Sequence, residues 1–64
     1  MPRHDVPSPL EASAGLVAGR LMRDFDRDAA LVAWGRADVA ADCGRVELCR
    51  KWIEVMEVIL LRQK

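Results

Sequence analysis

The last third of the chain constrains the fold most. From Val46 to Leu61, eleven of sixteen positions are apolar: Val46, Leu48, Cys49, Trp52, Ile53, Val55, Met56, Val58, Ile59, Leu60 and Leu61. Val46, Cys49, Ile53, Met56 and Leu60 recur at helical spacing, and Leu48, Trp52, Val55 and Ile59 form a second stripe beside them. Val55 to Leu61 alone could pass for a strand. The period nevertheless holds for over four turns, and Glu47 with Lys51 and Arg50 with Glu54 are opposite-charge i,i+4 pairs. The segment therefore reads as a helix with an apolar arc wider than one neighbouring helix covers.

What can cover that arc depends on the rest of a 64-residue chain. A chain of this size buries only about 60% of the surface its unfolded form exposes, so a partner chain is a natural stabiliser. Tyr, Thr and Asn are absent, whereas Ala, Leu and Arg are abundant, a balance that favours helix over strand. Ten basic and ten acidic residues cancel, with 52% hydrophobic residues. This is too apolar for a disordered chain and lacks the net positive field of a dedicated nucleic-acid binder.

Residues 1–7 contain two prolines and His4 without periodicity and read as a flexible tail, leaving 8–64 as one helical domain. Ser8-Pro9-Leu10-Glu11 has the order of an N-cap, a first-turn proline and a capping-box glutamate, and predicts a helix start there. Leu10, Ala14, Val17, Leu21 and Phe25 continue as an amphipathic stripe, with Gly15 and Gly19 one turn apart beside it. Phe25, Ala29 and Val32 keep the same phase, so the first helix either runs on or is recapped by Asp26 or Asp28. Gly35 is the expected weak point, with Cys43-Gly44 a second candidate break. The fold class is all-α: a small bundle of three helices near 9–23, 27–41 and 45–62, or of two near 9–34 and 38–62. Oligomerisation is expected to complete either arrangement.

Chemistry is sparse along the chain. Asp24, Asp26 and Asp28 alternate like the first ligands of a calcium loop, but the required Gly and Glu positions are occupied by Ala29 and Gly35. Cys43 and Cys49 are six residues apart, about 9 Å along a helix and on different faces, which opposes a disulfide within one helix. Two thiols and one histidine do not supply a zinc site, so packed, reduced thiols and no metal are expected. If Met1 is removed, His4 becomes the third residue and could complete a square-planar nitrogen set for copper or nickel. No catalytic constellation or cofactor motif is present in the sequence, and an enzyme is not expected.

The sequence thus predicts a protein–protein interaction module that acts as a homodimer or binds a larger protein, with Trp52, Val55, Ile59, Met56 and Trp34 at the interface. The competing expectation is a DNA-binding regulator with a helix-turn-helix-like core, Gly35 in its turn, and Arg20, Arg23, Arg27 and Arg36 as phosphate contacts. Asp38 and Asp42 would open its recognition helix and repel phosphate. The first residues do not resemble a signal peptide and no segment is apolar enough to span a bilayer, so a cytoplasmic location is expected.

Overall fold

The computed structural model describes residues 8–63 as three α-helices. They are α1 (Ala14–Phe25), α2 (Ala29–Asp42) and α3 (Val46–Arg62), with a single 3₁₀ turn at Asp26–Asp28 between the first two. The three-helix alternative is therefore the observed one. The histidine-bearing tail, with any copper or nickel chemistry at His4, lies outside the described residues.

The first helix starts later than the Ser8 motif predicts. Ser8 instead closes a turn: its Oγ accepts from the Leu10 N–H at 3.2 Å, and its carbonyl accepts from Glu11 and Ala12 at 3.0 Å. Ser13 is the N-cap of α1, in extended conformation, with its hydroxyl accepting from the Leu16 N–H at 3.2 Å. A serine can serve a turn or a cap with the same local bonds, and here the second serine makes the cap.

Asp26 ends α1 in an uncommon backbone conformation, φ 52° and ψ −117°, while its N–H still donates to the Met22 carbonyl. This residue breaks the phase that runs from Phe25 to Val32, and α2 begins afresh at Ala29. Asp28 occupies the N-cap position of α2 without a side-chain bond to the helix. Gly35, expected as the break, instead lies within α2. The break falls at Cys43-Gly44, where Gly44 adopts φ 74° and its N–H donates to the Ala41 carbonyl at 3.0 Å. Positive φ is inexpensive for glycine alone.

The core consists of Val17, Ala18 and Leu21 from α1, Ala29, Ala33 and Ala37 from α2, and Trp52, Val55 and Ile59 from α3. Every fully inward position of α2 is alanine: Ala29, Ala33, Ala37 and Ala40. Such a face has no long side chains to hold a neighbour away, and α3 packs chiefly on it. The arc is wider than one helix covers, and α1 and α2 pack on it together. The centre of the arc is covered, and the remaining exposed apolar residues of α3 are at its ends, Val46, Leu60 and Leu61.

Candidate functional site: the outward side of α2 and its groove

Of the large apolar side chains of α2, Val32 is half-buried against the core, and the other three point away from it. Leu31 is 67% exposed, Trp34 54% and Val39 62%, whereas the inward row is alanine. A surface helix normally has the reverse arrangement, with bulky residues inside and polar residues outside. Gly35 lies among these outward residues, and a Cβ built there would meet no neighbouring atom within 4 Å.

Beside this face runs an open groove of about 460 Å³ between α2 and α3. Val32, Val39, Leu48 and Trp52 give it an apolar lining. Arg36 and Arg45 are the charged side chains along it. The Arg36 guanidinium sits 5.3 Å from the centre of the Trp52 ring, a cation–π distance that fixes the arginine over the groove floor. Arg45 precedes α3 at its N-cap, which carries no side-chain cap bond. Gly35 and Val39 belong both to the groove and to the outward face, so the two surfaces are continuous.

The predicted interface residues separate into two groups. Trp52 is 6% exposed, and Val55 and Ile59 are fully buried in the chain's own core. They cannot meet a second chain without unfolding this one, so an interface centred on them is corrected. Met56 is half-buried, and of the five only Trp34 stands on the surface.

The helix-turn-helix placement is corrected too, because Gly35 is interior to a helix and the turn lies at Cys43 to Arg45. Arg23 and Arg27 are exposed on α1 and the 3₁₀ turn, Arg20 is half-buried, and Arg36 lies over Trp52. The solvent side of α3 mixes Glu47, Glu54 and Glu57 with Arg50, so it offers no uninterrupted basic face. Cys43 is exposed and Cys49 half-buried, both as free thiols. Among the described residues, no three His, Cys, Asp or Glu side chains gather where they could hold a metal. Nor is any described helix long and apolar enough to cross a membrane.

Leu31, not among the predicted interface residues, lies three residues before Trp34, the helical spacing that puts both on one side. The groove had no local signal, since Arg36 and Trp52 meet only once α3 folds back on α2. Comparison with known protein families, curated proteins and solved structures finds no match to this chain.

Proposed function

We propose that the chain is a small helical protein–protein interaction module whose docking surface is the outward side of α2. The observation that carries this reading is the exposed apolar cluster of that helix, Leu31, Trp34 and Val39, which stands in solvent beside Asp38 while the buried positions are alanine. Covering such a cluster yields about 25 cal/mol per Å² of apolar area removed from water, and an exposed Trp beside Leu suits an interface anchor. Nothing in the interior requires these residues to be large, so their size is best accounted for by a partner.

The test compares wild type and Trp34→Ala as affinity baits in extracts of the source cell, alongside a gel shift with duplex DNA at low and high salt. Recovery of a discrete partner, or of the chain itself, that is lost with Trp34→Ala supports the module. A salt-sensitive DNA shift, or recovery indifferent to Trp34, overturns it.

A further inference from the structure

We propose that the groove between α2 and α3 binds a medium-chain alkyl carboxylate, its chain lying along the groove and its carboxylate at the Arg45 end. The site adjoins the Trp34 face but does not depend on the docking role proposed there.

Shape is the first ground. The groove follows α2 from Val32 to Cys43, about 16 Å at 1.5 Å per residue. Spread over that length, its volume of about 460 Å³ makes a channel one extended chain wide, whereas a helix is about 10–12 Å across. The alanine face of α2 keeps it narrow by drawing α3 close. An extended peptide is as slim as an alkyl chain, but it brings an N–H and a C=O at every residue. Val32, Val39, Leu48 and Trp52 give those groups little to bond along the lining, so the alkyl chain is the better match.

Charge is the second ground. Arg36 and Arg45 line the groove and no carboxylate does, although the chain as a whole is neutral. Asp38 lies about 120° around α2 from Val32, and Glu47 about 140° around α3 from Trp52, so both face elsewhere. Asp42, just before Cys43, is exposed and outside the lining.

The two guanidiniums have different duties. Arg36 is held over the Trp52 ring at 5.3 Å and walls the middle of the groove. Arg45 is exposed at the open end and precedes α3, whose N-cap makes no side-chain bond to the first turn. A carboxylate placed there pairs with the Arg45 guanidinium and meets the positive end of the α3 dipole. From that head the alkyl chain passes Leu48 and Val39 toward Trp52, covering apolar area that the fold leaves in water.

The deciding experiment titrates the isotope-labelled full chain with dodecanoate and follows its amide and indole resonances near neutral pH. With about fourteen non-hydrogen atoms in an open site, a dissociation constant on the order of 0.1–1 mM is expected. Saturating shifts at Val39, Cys43, Leu48 and the Trp52 indole, with Leu31 and the Trp34 indole unmoved, are the expected result. Dodecyltrimethylammonium has the same chain and the opposite charge, and should bind at least tenfold more weakly. Acetate, which has the head without the chain, should give no saturating shift. Arg45→Gln should weaken dodecanoate at least threefold with helicity unchanged, and Arg36→Gln by a smaller factor. Equal affinity for the two surfactants, or for wild type and Arg45→Gln, overturns the carboxylate site. Shifts centred on Trp34, or none that saturate well above the expected constant, overturn the groove as the place of binding.

Discussion

Arg62 Nη1 donates to the Gly15 carbonyl at 3.3 Å, joining the end of the last helix to the first turn of α1 across 47 residues. The guanidinium lies beside Gly15 and Gly19. A Cβ at Gly15 would lie 3.4 Å from Arg62 Nη2, and one at Gly19 3.8 Å from Nη1. Both are ordinary contact distances, so the arginine sits against the glycine pair without requiring glycine there. Next to it, Gln63 Nε2 donates to the Asp26 carbonyl at 2.9 Å, so the C-terminal turn is attached to both ends of α1. Arg62→Ala should lower stability by about 0.5–1.5 kcal/mol, the net worth of one hydrogen bond with some lost packing. In a thermal melt this is a fall of several degrees, and an unchanged midpoint would show the contact to be idle.

The two serines near the start of α1 separate cap from turn. Ser13→Ala removes the hydroxyl that accepts from Leu16 and should cost about 1 kcal/mol. Ser8→Ala should cost less, because the backbone bonds from Glu11 and Ala12 to its carbonyl remain. Paired urea titrations of the two variants check the order, and equal costs would contradict the assignment of Ser13 as the cap.

Glycine substitutions should have opposite signs. At Gly35 an added Cβ meets nothing, so Gly35→Ala should stabilise the monomer by roughly 0.5–1 kcal/mol through helix propensity. At Gly44, φ is 74°, and Gly44→Ala should destabilise by about 1 kcal/mol. Chemical denaturation of both variants beside the wild type reads the two effects.

Asp26 offers a gain. Its φ of 52° is costly for a residue with a Cβ, and among the described residues no hydrogen bond to its carboxylate is seen. Asp26→Gly should raise stability by about 0.5–1 kcal/mol after allowing for the looser unfolded chain. A fall in midpoint would indicate that the side chain contributes something the backbone geometry does not reveal.

The two tryptophans should respond differently to truncation. Trp52→Ala empties a buried site and should cost about 3–5 kcal/mol, enough to unfold so small a domain. Trp34→Ala should change the monomer by less than about 0.5 kcal/mol. Circular dichroism melts at one concentration distinguish them, and matching losses would mean Trp34 belongs to the core.

Element type was legible in the sequence because both strong signals were local. The two stripes of α3 and the Cys43-Gly44 pair mark the last helix and its start, and Val17 and Leu21 on the first stripe are buried as their spacing implies. Errors arose where the same residue can serve two structures. Ser8 satisfies a turn as readily as a cap, and Gly35 costs about 1 kcal/mol in a helix, which neighbouring contacts can absorb. The location of the exposed apolar surface depended on a tertiary fact. Alanines 29, 33, 37 and 40 read as a weak apolar helix, yet their small size lets α3 seat Trp52, Val55 and Ile59 against them. That inward seating leaves Trp34 outside.

The alanine row also bears on alignment between helices. Sliding α3 by one turn, about 5.4 Å, along Ala29, Ala33 and Ala37 would exchange one methyl group for another and change the packing surface little. No knob-and-hole code on that face distinguishes neighbouring settings. The setting is held at the margins, by the tight passage through Gly44, by the Arg36 guanidinium over Trp52 and by the paired Arg62 and Gln63 bonds to Gly15 and Asp26. Weakening those three together should produce a chain with native helix content and several interconverting alignments, visible as broadened amide resonances.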